Sequence, residues 1–182
     1  MKAIVVYESY WGNTAAVAKA IAEGIGPDAR ALSTSEATAA ALAGTRLIVT
    51  GSPIIAFGLP SDKTRRDMQA RPDKKAPSPP DLSHPSIRSW IEALPKMGRS
   101  GAGEGEVGAS SVKVAAFETG FKMSPGGSAA KMLKMLENLG YVPVAKKQRF
   151  LVQGSYGPIK EGELERAKTW GAELARMAQA VK

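Results

Sequence analysis

The sequence predicts an α/β fold, a single five-stranded parallel sheet with helices on both faces. Three observations carry that prediction. Strand-like and helix-like segments alternate as β-α-β-α-β-α-β-α-β-α along the chain. The strand segments are continuously apolar, as in Arg46-Leu47-Ile48-Val49-Thr50, which suits parallel strands buried on both faces. The length, 182 residues, is enough for one sizeable core and short for two, so residues 1–182 are expected to form one domain.

Each element has a local reason. Ala3-Ile4-Val5-Val6-Tyr7 is a strand rich in β-branched residues. An Ala-rich helix follows over 15–25, where Val17, Ala18, Ile21, Ala22 and Ile25 share a face, and Gly24 and Gly26-Pro27 are expected to end it. Ala29-Arg30-Ala31-Leu32 reads as a weak edge strand, and Thr34 or Ser35 as the cap of a short helix through Leu42. After the strand at 46–50 comes a helix over 61–70. The Pro- and Lys-rich stretch 71–86 is then an expected exposed excursion. Ile87, Trp90, Ile91 and Leu94 return to helical spacing, and the Gly- and Ser-rich segment 98–111 reads as a flexible link. Val112 to Phe117 is the fourth strand. Ser128 to Leu139 is a helix with Ala129, Met132, Leu133 and Leu136 inward, and 141–152 holds the last strand. The closing helix, 161–181, carries the stripe Leu164, Ala167, Gly171, Leu174, Ala178 and Val181.

Composition removes several chemistries. With no Cys there is no disulfide framework, thiolate metal site or Cys nucleophile. The single histidine, His84, lies between Ser83 and Pro85 and is expected to be an exposed loop residue, which leaves a His-based metal site or triad without a basis. No apolar run approaches membrane-spanning length and the first residues are too few for a leader core, so the expectation is a cytoplasmic protein with no membrane partner. The net charge is +8, with basic clusters at Lys63, Arg65, Arg66, Arg71, Lys74 and Lys75 and at Lys146, Lys147 and Arg149. They read as solvated surface. No nucleic-acid-reading motif accompanies them, so nucleic acid is not an expected partner.

Chemistry concentrates where the first strand empties into the first helix, at Ser9-Tyr10-Trp11-Gly12-Asn13-Thr14. The first amides of a helix have no intrahelical partners and the positive end of its dipole faces the loop, which favours an anion there. The hydroxyls of Ser9 and Thr14 and the amide of Asn13 add neutral hydrogen-bonding groups. No Lys or Arg lies between Ser9 and Thr14, so a phosphate would be held by dipoles. The loop is neither a Walker A motif nor a dinucleotide fingerprint, since it lacks Gly-Lys-Ser/Thr and contains only Gly12. An ordinary helix cap is the alternative.

With two further loops added, the chain resembles the flavodoxin family. Ser9, Gly12, Asn13 and Thr14 match the family's Thr/Ser-x-Thr-Gly-Asn-Thr phosphate loop, while Trp11 replaces its usual Thr and removes a hydroxyl. Gly51-Ser52-Pro53-Ile54-Ile55-Ala56-Phe57-Gly58 is similar to the family's second flavin loop, with Ile54 and Ile55 in place of Thr and His. Glu118-Thr119-Gly120-Phe121 stands where the third is expected, and Gly154-Ser155-Tyr156-Gly157-Pro158 also looks familial.

The resemblance implies a flavodoxin-like three-layer sandwich with strand order 2-1-3-4-5, of which flavodoxin is itself the standard example, and a ligand beyond the carboxyl ends of the strands. It implies flavin mononucleotide (FMN) as cofactor. Ser9 to Thr14, Tyr10 among them, would wrap the phosphate, with Trp11 either part of a wall or on the partner surface. Ser52, Pro53, Ile54, Ile55, Phe57 and Gly58 would supply the ring wall, with Phe57 the stacking candidate. Glu118, Thr119, Gly120 and Phe121 would supply the pyrimidine edge. No catalytic base or metal is called for, since the redox chemistry belongs to the flavin. The leading expectation is an electron carrier. An FMN-dependent NAD(P)H:quinone or flavin oxidoreductase and a flavin-free binding module are the alternatives. Family carriers are usually acidic, so this basic chain would need an acidic redox partner protein, unless its charge is incidental. Monomer and homo-oligomer both stay open.

Overall fold

Alternation along the strands builds two cores, one on each side of the sheet. Ile4, Val6, Ile48, Val114 and Ala116 enter one core, while Ala3, Val5, Leu47, Val49, Ala115 and Phe117 enter the other. The computed structural model describes residues 1–55, 57–97 and 112–180. The expected link at 98–111, Ala56 and Val181 therefore lie outside the described residues.

In chain order the elements are β1 (Ala3–Tyr7), α1 (Asn13–Ile25), β2 (Ala29–Ser33), α2 (Ala39–Leu42), β3 (Leu47–Pro53), α3 (Asp62–Ala70), α4 (Ile87–Glu92), β4 (Lys113–Gly120), α5 (Ser128–Asn138), β5 (Val142–Pro143), β6 (Gln148–Leu151) and α6 (Glu163–Ala180). The sheet order is β2-β1-β3-β4-β5, every pairing is parallel, and β6 also pairs with β4. The expected 2-1-3-4-5 order with helices on both faces is therefore present. Its fifth position is filled by two pieces: in β5 Pro143 pairs with Val114, and in β6 Gln148 pairs with Phe117. Four residues, 144–147, separate the two pieces where β4 has only two, 115–116, so the fifth position is interrupted there.

One face is covered by α1, through Val17, Ala18, Ile21 and Ala22, and by α6, through Ala167, Trp170, Leu174 and Ala178. The other is covered by α4, through Ile87, Trp90 and Ile91, and by α5, through Ala129, Met132 and Leu136. Full burial of a side chain such as Ile21 or Leu174 contributes roughly 1.5–3 kcal/mol.

Several local expectations are corrected by packing. Gly24 does not end α1; it lies inside it, and a Cβ there would sit 1.9 Å from the Lys168 carbonyl oxygen on α6. Gly171 makes the reciprocal approach, 2.2 Å from the Ile21 oxygen. These two glycines let α1 and α6 touch backbone to backbone, and Gly26 is the actual cap. The short helix α2 begins after Thr38, whose hydroxyl accepts from Ala41 N, rather than after Thr34 or Ser35. Leu164 is exposed, and Trp170 takes its place in the buried stripe of α6. Finally, β3 and β4 run past their expected ends because they pair there, Ser52 with Glu118 and Pro53 with Thr119.

Candidate functional site

That extra pairing draws the loops together. Ile54 N donates to the Thr119 carbonyl at 2.9 Å, and Glu8 N donates to the Gly51 carbonyl at 3.0 Å. The Thr14 and Thr119 hydroxyls share a hydrogen bond of 2.9 Å. The ends of β1, β3 and β4 thus meet around one cavity of about 180 Å³. From the first loop it is lined by Ser9, Tyr10, Trp11, Asn13 and Thr14. Pro53, Ile54 and Ile55 line it from the second, and Thr119, Gly120 and Phe121 from the third. Enclosing ligand pockets run to roughly 300–1,000 Å³, so a ligand larger than this recess lies partly outside it.

The N-terminus of α1 opens onto this cavity. Gly12, at φ 85°, turns the chain into α1, and no side chain caps that helix. No acidic residue occupies its first turn. The Ser9 hydroxyl oxygen is buried there without a hydrogen-bond partner. Buried polar atoms are rarely left alone, because an unmet hydroxyl costs about 1–3 kcal/mol. An acceptor-rich ligand at the α1 N-terminus would satisfy it. Among the described residues, no Lys or Arg lines the cavity. Asn13 is braced from the far side, its side-chain amide donating to the Tyr156 carbonyl at 3.1 Å. A Cβ on Gly157, at φ 98°, would come within 2.5 Å of the Asn13 side-chain oxygen, so that turn keeps its glycine.

Beneath the loop lies a polar cluster that sequence reading did not single out. Glu8, fully buried, forms an ion pair with Arg65 of α3, accepts from Tyr10 Oη at 2.6 Å and accepts from Ile87 N at 3.1 Å. Burial, and then the Glu8 carboxylate, hold the Tyr10 phenol well above its ordinary range. Arg65 also donates to the Leu82 and His84 carbonyls. Arg65 was expected in a solvated basic cluster, and His84 in an exposed loop. Instead the Arg65 side chain is only 13% exposed, because it neutralises Glu8. His84 is buried, stacked on Tyr10 at 6.5 Å with Nε2 3.3 Å from the Ser9 carbonyl.

The 71–86 stretch is exposed along much of its course, yet it straps the first loop. Asp81 N donates to the Tyr10 carbonyl at 2.9 Å, Trp11 Nε1 donates to the Ser78 carbonyl at 3.1 Å, and Tyr156 Oη donates to Asp73. Trp11 stands edge-on to Tyr156, ring centroids 4.8 Å apart. On the other side of Tyr10 and Trp11 a broad groove of about 650 Å³ runs past Tyr7, Ser33, Glu36, Asp81 and His84. Burial, Glu36 and Asp81 raise the Tyr7 phenol.

The third loop is pinned from β6. Arg149 pairs with Glu118 at 2.7 Å and donates to the carbonyls of Phe121, Ser124 and Gly126 at 3.3, 2.9 and 3.1 Å. The second Glu118 oxygen accepts from Ala129 N at 3.0 Å, in the first turn of α5.

Eleven of the sixteen expected binding residues therefore line the cavity. Gly12 shapes its loop from behind. Ser52 is buried with its hydroxyl on the Pro53 carbonyl, and Glu118 faces Arg149 and α5. Phe57, at φ 67°, is 72% exposed and stands outside the cavity, and the adjacent Gly58 backs onto Lys131. The apolar wall present is Ile54 and Ile55. Two lining residues were not singled out, Val152 and Ser155, although Ser155 belongs to the closing stretch. Among the described residues no cluster of His, Asp or Glu suits a metal, and no helix is long and apolar enough to cross a membrane.

A parallel, doubly wound sheet with a crevice at the carboxyl ends of its central strands defines a flavodoxin-like α/β protein. Solved structures agree on the fold. A flavodoxin from the domain Archaea superposes with a TM-score of 0.64 at 19% identity, covering 98% of this chain and 99% of that one. Oxidised flavodoxin 1 from Bacillus cereus gives 0.61 at 15% identity, with both chains covered completely. The flavodiiron core Flv1 from Synechocystis gives 0.60 at 15% identity over this whole chain and 37% of its own. No protein-family model matches the sequence, and no curated protein matches it either.

Proposed function

We propose that this chain binds FMN in the 180 Å³ cavity and carries electrons to or from a protein partner. The observation that carries the reading is the buried, unpartnered Ser9 hydroxyl beside the uncapped N-terminus of α1. Ser9, Asn13 and Thr14 would hold the phosphate with hydroxyl and amide dipoles. Ile54 and Ile55 would flank the isoalloxazine, and the backbone of Thr119 to Phe121 would meet its polar edge. The flavin would supply electron acceptance, and this chain's residues would bind, orient and shield it. The small recess leaves part of such a ligand accessible at the rim, as electron exchange with a partner requires. The net charge of +8 favours an acidic partner.

Absorbance of the purified protein and titration with FMN test this reading, with riboflavin as the phosphate-free control. Ser9→Ala is expected to weaken FMN roughly tenfold, the loss of one hydrogen bond to a charged group, and to leave riboflavin unchanged. A colourless protein that refuses FMN would overturn the proposal. Turnover of NADPH with a quinone and no protein partner would replace the carrier by an oxidoreductase.

A further inference from the structure

Beside the cavity mouth, three large apolar side chains stand in solvent: Phe57 at 72%, Phe121 at 42% and Met123 at 86% exposure. Fully buried cores lie a few residues away, so this exposure is local to two loops. The two loops abut. A Cβ on Gly126 would fall 1.7 Å from the Phe57 carbonyl oxygen, which seats residue 57 against the turn that holds Phe121 and Met123. The turn is held in shape by Phe121 N donating to Ser124 Oγ at 3.0 Å and Ser124 N donating to the Phe121 carbonyl at 3.1 Å. Arg149 grips the carbonyls of Phe121, Ser124 and Gly126 at once. A preshaped apolar patch loses little entropy on binding.

The surround is positive. Lys122 is exposed in the turn, Lys131 Nζ lies 3.0 Å from the Cβ position of Gly58, and Lys147 Nζ lies 3.3 Å from that of Gly127. The carboxylate within this group, Glu118, is buried and paired with Arg149. An apolar centre rich in aromatic and Met side chains with a charged rim is how a protein interface is composed.

The geometry points to the Phe57–Phe121–Met123 patch as a docking face for a partner protein whose own electron-transfer surface is acidic around an apolar centre. The inference rests on the proposed FMN site in one respect: Phe121 belongs both to the patch and to the cavity lining, so a partner seated here would face the flavin edge. Charge complementarity selects the partner, and the apolar trio fixes its seat.

The test uses the full chain and an acidic plant-type ferredoxin as probe. Binding is read by calorimetry, with and without added FMN, so it does not depend on cofactor loading. Binding is expected at about 20 mM salt and should weaken at least tenfold by about 300 mM. The charge-reversed variant K122E/K131E/K147E should lose binding at low salt, and F57S/M123S should weaken it several-fold with the salt dependence kept. All five side chains are exposed, so circular dichroism should show both variants folded. An anionic vesicle of about one-third phosphatidylserine supplies the competing case. No binding at low salt, binding indifferent to the lysine reversals, or pelleting with vesicles in place of ferredoxin binding would each overturn the docking face. Failure to take up FMN while the ferredoxin arm succeeds would overturn the cofactor reading alone.

Discussion

The hydroxyls of Thr14 and Thr119, 105 residues apart in the chain, meet at 2.9 Å and join the first loop to the third. Both residues are buried, at 2% and 4% exposure. Thr119→Val should therefore cost about 1–3 kcal/mol, because it strands the Thr14 oxygen. Adding Thr14→Val should recover part of that loss. Urea unfolding of the two single variants and the double variant measures the coupling. Simple additivity would show that the contact contributes nothing.

Removing Arg65 should be far more damaging than its place in a Lys- and Arg-rich segment suggests. Arg65→Met leaves the fully buried Glu8 charge without its ion-pair partner, a loss of about 3–5 kcal/mol. In the double variant Glu8→Gln/Arg65→Met the buried charge is gone, and much of that stability should return. Thermal melts of the three proteins decide it. Equal melts for Arg65→Met and the parent would place the pair in solvent.

The contact between α1 and α6 makes a prediction whose sign opposes helix propensity. Ala is better than Gly inside a helix by roughly 1 kcal/mol, so Gly24→Ala would stabilise a free α1. Here the added methyl meets the Lys168 carbonyl at 1.9 Å, and backbone cannot swing aside as a side chain can. Overpacking of this kind costs about 1–3 kcal/mol or more. Gly24→Ala and Gly171→Ala should both lower the denaturation midpoint. A gain in stability from either would mean the helices lie farther apart.

The strap over the first loop should loosen at both ends of the pH scale. Hydrogen bonding from Tyr156, and then from Lys75 N, holds the Asp73 carboxyl below its ordinary range, and bonds from Ser83 do the same for Asp81. A depressed carboxyl lends stability above its unfolded pKa, near about 4, that disappears as pH falls through the folded value. The Tyr156 phenol is raised by its bond to Asp73, so its share is present below about 10 and lost as pH rises through the folded value. Amide hydrogen exchange across 73–83, corrected for intrinsic rates, should show protection greatest between those limits. Tyr156→Phe should shrink the alkaline limb to the part that Tyr7 and Tyr10 supply, and leave in the acid limb the parts due to Asp81 and to the Lys75 N bond of Asp73.

Much of this protein was readable from residue order, for a reason of range. Helix and strand periodicity are local, so the alternation of Ile4, Val5 and Val6 and the stripe Val17, Ala18, Ile21 and Ala22 placed the layers correctly. The junction at Ser9 to Thr14 is local as well, a strand end followed by a helix start. The tertiary structure decided what depends on partners distant in sequence. His84 and the Arg65 guanidinium turn inward because of Glu8 and Tyr10, which lie tens of residues away and give those polar groups something to bond in the interior. Gly24 reads as a helix stop until α6 is laid across it. Phe57 reads as a ring-stacking side chain, and it took the tertiary structure to show that a left-handed backbone holds it at the surface, outside the cavity lining. Pattern along a chain reports which face of an element is apolar; which groups meet across the fold is fixed only when elements pack and each buried charge, hydroxyl and methyl must find room and a partner.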